Sequence, residues 1–190
     1  MKDPFIDEYC ELRPEYEYSS VKNAMLYAAQ CHNGTNQKYD GHPYTIHIKM
    51  TYDFGCEFAY LLDEKDIEPA LCACWTHDVI EDTRQSYNDV KKVLGYEVAE
   101  IVFALTNEKG RTRAERANEK YYSEIQKSPV ATFVKLCDRL ANCSYSVSHS
   151  QHMADVYALE MPHFRQVLYN DRFEAMFDEL EHLCHNNHVI

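Results

Sequence analysis

A cluster of ionisable side chains stands in the middle of the sequence, directly after an apolar stretch that ends at Trp75. Its members are His77, Asp78, Glu81 and Asp82. On a helix, Glu81 would lie one turn beyond His77, and Asp82 one turn beyond Asp78. Charged groups beside an apolar helix face are costly unless they are paired or bind a metal ion. One imidazole and three carboxylates therefore predict a divalent metal site combined with a general acid–base pair.

Two more segments carry side chains that could complete this site. His47 stands near the start of a predicted helix, and Asp138 shares a helix face with Asn142. Two histidines and two aspartates form a mixed nitrogen and oxygen ligand set, which suits Mn²⁺, Fe²⁺, Co²⁺ or Zn²⁺. Glu81 and Asp82 lie too close in sequence to the ligands for all of them to bind the ion. We therefore predict that they form the proton-transfer pair.

The elements that position these residues are predicted to be helices. Apolar residues recur with helical spacing along most of the chain, and no convincing alternating strand pattern occurs. A polar loop with Gly34, Asp40-Gly41 and Pro43 is predicted before a helix that runs from near Thr45 towards Leu62. Another helix begins at Ser128-Pro129. Ser86 and Asp89 resemble a capping box. Two shorter helices are predicted between residues 153 and 186, broken near Met161-Pro162. The predicted fold class is all-α, a compact helical bundle.

Composition limits the classes of function. The chain has 190 residues and a net charge of −12, so it can bury a sizeable core but is a poor general binder of nucleic-acid backbone. No linker or repeat divides it, and we predict a single domain over residues 1–190. Neither a signal-peptide pattern nor an apolar run of about 20 residues occurs. Eight cysteines without a Cys-x-x-Cys pair favour reduced thiols and a cytoplasmic protein with no membrane partner.

Four segments carry recognisable motifs in a fixed order: His32–Lys38, Gly41–His47, His77–Thr83 and Lys135–Asn142. They resemble the motifs H-x-G-Q-x-R-K, G-E-P-Y-I-x-H-P, H-D-x-x-E-D-T and K-L-A-D-R-x-x-N of the HD-domain metal-dependent phosphohydrolases. The resemblance narrows to the hydrolase domain of the RelA/SpoT alarmone enzymes and their small single-domain relatives, including the metazoan SpoT homologue. It covers a motif-bearing core of about residues 21–148 and implies a helical fold of the HD-domain type.

The resemblance also implies a role for individual positions. It implies one metal ion, Mn²⁺, held by four side chains: His47, His77, Asp78 and Asp138. Glu81 and Asp82 would activate the attacking water and assist the departing phosphate oxygen. Asn142 would touch the nucleotide sugar, and Lys38 the base or the phosphates. The family reaction removes pyrophosphate from the 3′ position of guanosine tetraphosphate or pentaphosphate.

The chain departs from the family where the nucleotide is bound. Gln37 stands where the family has an arginine that stacks on guanine, and an amide cannot supply that cation–π contact. Ser144 and Tyr145 stand where the family often has an arginine and a threonine. Tyr44 or Tyr145 could stack on a base instead. The metal and proton-transfer residues match fully, whereas the residues that bind the nucleotide match in part.

A basic segment, Lys109–Arg116, lies in this acidic chain. A glycine-containing basic loop that enters a helix suits phosphate oxygens, so Lys109, Arg111 and Arg113 are candidate phosphate-binding residues. An ordinary exposed helix start is the alternative. Lys135 and Arg139 are predicted to brace the site through ion pairs rather than to touch the substrate. Six C-terminal histidines show no closed metal spacing and are predicted to be structural or exposed: His149, His152, His163, His182, His185 and His188.

Three functions fit these residues. The first is a metal-dependent phosphohydrolase of a small-molecule nucleotide, and the resemblance implies a guanosine 3′,5′-bis(diphosphate) 3′-pyrophosphohydrolase-like activity. The second is a 5′-nucleotidase or another nucleotide phosphatase or phosphodiesterase that uses the same metal site. The third is a nucleotide sensor without turnover. The presence of both Glu81 and Asp82 argues against a sensor, because binding alone does not require a proton-transfer pair.

Overall fold

The computed structural model describes residues 5–185, and helices dominate its regular structure, which confirms the predicted all-α class. The α-helices within these residues are α1 (Ser19–Gly34), α2 (Thr45–Glu57), α3 (Glu64–Thr76), α4 (Val79–Asp82), α5 (Tyr87–Leu94), α6 (Tyr96–Leu105), α7 (Arg113–Arg116), α8 (Glu119–Gln126), α9 (Pro129–His149), α10 (Gln151–Leu168) and α11 (Glu174–His185). Short 3-10 turns lie at Pro14–Tyr16, Ala59–Leu61 and Asp171–Phe173. The ends of the predicted domain, including residue 186 of the predicted C-terminal helices and His188, lie outside the described residues.

The helix α9 is the central element of the bundle. It begins where the sequence predicts, because the Ser128 side chain accepts a hydrogen bond from the Ala131 N–H and Pro129 fits the first helical position. It packs against α2, α3, α6, α8, α10 and α11. Large side chains such as Phe133 and Leu136 are fully buried, and each such burial contributes about 1.5–3 kcal/mol. The site residues on α9 therefore stand on the most firmly packed helix.

Two other helices lead into the site. The helix α3 packs against α1, α2, α6 and α9, buries Trp75 completely, and ends at Thr76, directly before the His77-Asp78 pair. The helix α2 begins at Thr45, as predicted, and ends at Glu57 rather than near Leu62. The predicted capping box of α5 forms between Ser86 and Asp89.

A small hairpin precedes α2, although the sequence was expected to form a loop there. Its strands are β1 (Lys38–Tyr39) and β2 (His42–Pro43), which pair in antiparallel register. Asp40 and Gly41 connect them with φ angles of 48° and 82°. Two successive positive φ angles are typical of the tight Asp-Gly hairpin turn. The hairpin places the Tyr39 ring against α2.

The predicted helix break near Met161-Pro162 is wrong. The helix α10 continues through Pro162 to Leu168, and the interruption comes at Tyr169–Asn170. Met161 and Phe164, on either side of the proline, are 5% and 1% exposed. Their packing against the core keeps the helix continuous, although proline removes one backbone hydrogen bond. Among residues 5–185, no helix is both long and apolar enough to cross a membrane.

Candidate metal centre and active-site cavity

The chain brings its four predicted metal ligands together from separate elements. His47 lies in the first turn of α2, and His77 follows the last residue of α3. Asp78 precedes α4, and Asp138 lies in the middle of α9. Both histidines and Asp138 are buried. Buried imidazole and carboxylate groups at one point require partners or a bound cation.

The ligand atoms of these residues converge. His47 Nε2 and His77 Nε2 are 3.3 Å apart, and Asp78 Oδ2 lies 3.5 and 3.0 Å from them. Asp138 Oδ1 lies 3.3 Å from His47 Nε2 and 3.7 Å from His77 Nε2. Adjacent ligand atoms at about 2.0–2.2 Å from one ion are separated by roughly 2.8–3.6 Å at octahedral or tetrahedral angles. His47, His77 and Asp78 lie close enough to one another to hold one ion. Asp138 is outside that mutually close group, although its Oδ1 approaches both histidine nitrogens from α9.

The electrostatics of this group favour a cation. Burial alone would lower the pKa of His47, but hydrogen bonding and charge from Asp138 and Asp78 outweigh it and raise that pKa to about 9. Burial would raise the pKa of Asp138, but the charge of Lys135 and the two histidines holds it well below its ordinary value. His77 Nδ1 lies 3.0 Å from the Cys74 carbonyl oxygen. Donation from Nδ1 directs the Nε2 lone pair towards the centre, as a ligand requires.

Neighbouring side chains hold the carboxylates in place. The Tyr44 hydroxyl donates to Asp78 Oδ2 at 2.5 Å. Lys135 Nζ and Asn142 Nδ2 donate to the two carboxylate oxygens of Asp138, at 2.8 and 2.6 Å. Such second contacts fix the orientation of metal ligands. Lys135 therefore braces the site through an ion pair, as the sequence predicts.

The segment after His77 does not form one continuous helix with α3, so the predicted helical turn from His77 to Glu81 is interrupted. Asp82 does lie one helical turn beyond Asp78, as predicted, because its N–H donates to the Asp78 carbonyl oxygen at 2.9 Å. The helix α3 stops at Thr76, and α4 begins only at Val79. The change of direction nevertheless leaves both carboxylates facing the same cavity as Asp78. The short helix α4 thus presents both carboxylates to the cavity, with Asp82 on the helical turn that Asp78 begins.

Each member of the predicted proton-transfer pair has its own partner. Glu81 accepts a hydrogen bond from Asn107 Nδ2 at 2.9 Å and another from the Asn107 backbone N–H at 3.3 Å. Asp82 Oδ2 accepts from Gln37 Nε2 at 3.2 Å. Burial, followed by the charges of Asp78 and Glu81, raises the pKa of Asp82 to about 6. Asp82 can therefore exist in either protonation state near neutral pH.

A cavity of about 630 Å³ connects the metal centre to a basic wall. Its metal end is lined by His47, Asp78 and Asp138, and its other end by residues of α7 and α10 that include Arg113 and Glu160. A space of this size falls within the range of small-molecule binding sites.

The predicted substrate contacts are distributed unevenly around this cavity. Tyr44, Asn142 and Arg113 line it. The residues that do not line it are Gln37, Lys38, Tyr145, Lys109 and Arg111. Gln37 reaches the cavity indirectly through its contact with Asp82. Lys109 lines a separate cavity, Arg111 and Lys38 are exposed, and the Tyr145 hydroxyl donates to Asp40 at 2.9 Å. Their roles in substrate binding stay predictions.

Several residues at the site were not identified from the sequence. The Tyr39 ring stacks on the His47 ring at 5.0 Å, and its hydroxyl donates to Asn142 Oδ1 at 3.1 Å. The Asp-Gly turn beside Tyr39 was the available signal. Asn107 and Glu160 carry no local signal, because their partners lie 26 and 47 residues away. His163, predicted to be structural or exposed, is an exposed residue that lines the cavity.

Comparisons with known proteins agree with the site. No family model matches the chain. The chain is 30% identical to guanosine-3′,5′-bis(diphosphate) 3′-pyrophosphohydrolase MESH1 of Drosophila melanogaster over 128 residues, which is 67% of this chain and 69% of that protein. It is 29% identical to the bifunctional (p)ppGpp synthase/hydrolase SpoT of Escherichia coli K12 over 137 residues, which is 68% of this chain but only 18% of that protein.

A solved structure extends the likeness to most of the fold. It is described by the words "A metazoan ortholog of SpoT hydrolyzes ppGpp and plays a role in starvation responses". The match has a TM-score of 0.68 at 26% sequence identity and covers 90% of this chain and 96% of that one. The sequence comparison, the fold comparison and the converging His and Asp side chains agree with one another, and they confirm the resemblance found in the motifs. The chain belongs to the family of MESH1 and SpoT-type hydrolases, enzymes of the HD-type phosphohydrolase class.

Proposed function

We propose that this chain is a metal-dependent phosphohydrolase that removes pyrophosphate from the 3′ position of guanosine 3′,5′-bis(diphosphate). The proposal rests on one observation: three of the four proposed metal ligands, His47, Asp78 and Asp138, line the same cavity of about 630 Å³ as both proton-transfer candidates. The names of the MESH1 and SpoT relatives support this substrate. The proposed partner is accordingly a small-molecule nucleotide.

The proposed metal ion is Mn²⁺, and Fe²⁺, Co²⁺ and Zn²⁺ suit the same nitrogen and oxygen donors. The side chains that would hold it are His47, His77, Asp78 and Asp138. When bound, such an ion lowers the pKa of a nearby water molecule and polarises a phosphoryl group. The part of the protein is to keep the donors in place, through Tyr44 on Asp78 and through Lys135 and Asn142 on Asp138.

The proposed proton-transfer groups are Glu81 and Asp82. Together they accept a proton from the water that attacks the 3′-bound phosphorus and return one to the departing 3′-oxygen of the ribose, so that pyrophosphate and a free 3′-hydroxyl result. A pKa of about 6 suits Asp82 to this exchange, because a general acid–base group works best when its pKa lies near the working pH. Two hydrogen bonds from Asn107 keep the Glu81 carboxylate in one orientation.

A smaller share of the proposed nucleotide contacts than of the proposed metal ligands lines the cavity. Tyr44 and Asn142 would touch the base and the sugar, and Lys38, Tyr145, Lys109, Arg111 and Arg113 stay candidates for the base and the phosphates. Gln37 already donates its amide to Asp82, so it offers little to a guanine ring. This contact favours a second candidate function, in which the same metal site serves another nucleotide as a 5′-nucleotidase, phosphatase or phosphodiesterase.

A nucleotide panel tests the proposal. The full chain is assayed with Mn²⁺ against guanosine 3′,5′-bis(diphosphate), its adenine analogue and 5′-nucleotides, and pyrophosphate is measured separately from phosphate. We expect pyrophosphate release from the bis(diphosphate), which chelation of the metal abolishes. Phosphate release from 5′-nucleotides would instead support the 5′-nucleotidase. Tight binding without any product would support a sensor.

A further inference from the structure

A charged cluster forms the cavity wall between α7, α9 and α10, and its centre is Glu160. The Glu160 carboxylate accepts hydrogen bonds from Arg113 Nε at 2.6 Å and Arg113 Nη2 at 3.1 Å. It also accepts one from Arg139 Nη1 at 2.7 Å. Both guanidinium groups lie over the Tyr157 ring, at 5.1 and 4.8 Å from its centre. These four residues, called the Glu160 cluster below, all line the cavity that holds the metal centre.

The two arginines differ in how a ligand could reach them. The side chain of Arg139 is 8% exposed and also lies over the Phe164 ring, so it is a fixed partner of Glu160. The side chain of Arg113 is 45% exposed and belongs to α7, in which the structure shows no buried residue. Arg113 is therefore the accessible guanidinium of the cluster.

The contact between Arg113 and Glu160 has the geometry of anion recognition. Two N–H groups of one guanidinium meet two oxygens of one carboxylate, and the same fork binds phosphate. If a phosphate replaced the carboxylate on Arg113, Glu160 would keep Arg139 as its partner, and Arg113 would keep its contact with Tyr157. The exchange would leave no buried charge unpaired, so the usual penalty for breaking such a pair is avoided.

We propose that the Glu160 cluster is a second anion subsite, which takes the diphosphate group that is not cleaved, with Glu160 as the resident anion that this group displaces. The inference rests on the proposed function, since only a nucleotide phosphorylated at two positions brings one diphosphate to the metal centre and presents another to this wall. Asp138 and Arg139 are consecutive on α9, so the two sites share one helix. A diphosphate carries more charge than a monophosphate and displaces the carboxylate more readily. Glu160 therefore selects for nucleotides with two diphosphate groups.

Binding of inorganic pyrophosphate to the full chain, measured by calorimetry, tests the subsite. Glu160→Gln removes the competing charge but keeps an oxygen for Arg139, and we expect it to bind pyrophosphate about tenfold more tightly than the wild type. Arg113→Gln should bind at least about tenfold more weakly. Arg172→Gln is the matched control, because Arg172 also pairs with a carboxylate, that of Asp63, but does not line the cavity; its affinity should stay within about twofold. Circular dichroism checks the helical content of each variant.

Two results overturn the proposal: unchanged or weaker binding by folded Glu160→Gln, or unchanged binding by Arg113→Gln. If Glu160→Gln does not fold, the difference between Arg113→Gln and Arg172→Gln decides. Hydrolysis is not part of the readout, so the two proposals can fail separately. A chain with the expected affinities that leaves guanosine 3′,5′-bis(diphosphate) intact contradicts the proposed function alone, whereas an active hydrolase with equal affinities in all variants contradicts the subsite alone.

Discussion

The hydroxyl of Tyr44 offers the sharpest single test of the metal centre. It donates to Asp78 Oδ2 at 2.5 Å, while its ring stacks on His32 with 4.5 Å between the ring centres. Burial and the charge of Asp78 hold the pKa of Tyr44 well above its ordinary value, so the hydroxyl keeps its proton and remains a donor. Tyr44→Phe removes only this hydroxyl and preserves the ring that packs in the core.

The size of the effect follows from the type of bond. A hydrogen bond to a charged group contributes about 1.5–3 kcal/mol, and loss of a side chain that orients a metal ligand typically lowers metal affinity about 10–100-fold. We therefore expect Tyr44→Phe to weaken Mn²⁺ binding by about 10–100-fold and to leave the helical content unchanged. The reason is that Asp78 loses its orientation, whereas the fold keeps the aromatic contact with His32.

The assay is calorimetric titration of Mn²⁺ into protein stripped of metal, combined with circular dichroism. Tyr145→Phe is the matched control, since it removes a hydroxyl that donates to Asp40 rather than to a proposed metal ligand. It should bind Mn²⁺ like the wild type. Wild-type affinity in Tyr44→Phe would refute the idea that this hydroxyl orients a ligand, and equal losses in both variants would show that the effect is not local.

Four further predictions concern the other site residues. Asp78→Ala should lose bound metal and activity together, and a variant with stoichiometric metal and normal turnover would remove Asp78 from the ligand set. Glu81→Gln should keep its metal, measured by elemental analysis, but lose about 10²–10⁴-fold in rate; full activity would assign the proton transfer elsewhere. The native state favours protonated Asp82, so the wild type loses stability as pH rises from the ordinary value of 3.8 through about 6. Asp82→Asn should thus raise the melting temperature of metal-free protein progressively across that range, and a pH-independent difference would contradict this. Gln37→Arg should raise the preference for the guanine substrate over its adenine analogue, measured as kcat/KM, by up to about thirtyfold. A wild type that already prefers guanine by about a thousandfold would contradict this interpretation of Gln37.

Local patterns in the sequence predicted most of the helical scaffold. Side-chain caps such as Ser128 act within a few residues of themselves, so the start of α9 could be read directly. Pro162 misled the prediction because packing of Met161 and Phe164 outweighs the local preference of proline. The Asp40-Gly41 turn was a local signal that was read as a loop, and the hairpin it forms is only two residues deep.

The site could be predicted only where family motifs or ligand chemistry marked the residues. His77 and Asp78 stand out because charged groups follow an apolar helix. The contact of Asn107 with Glu81 and that of Glu160 with Arg113 join residues far apart in sequence, so no pattern within one segment reveals them. These pairings depend on how the helices pack, which the three-dimensional structure alone provides.

The helix α10 has a consequence for how such proteins are recognised. All four motifs lie before it, yet Tyr157, Glu160 and His163 on α10 form part of the cavity lining. A fragment that ended after α9 would retain every motif and still have an open side where the substrate should be enclosed. Motif matching therefore reports the reacting end of the molecule, whereas the choice of ligand would be partly encoded in α10, which carries none of the four motifs. Two members of the family with identical motifs could in this way act on different nucleotides.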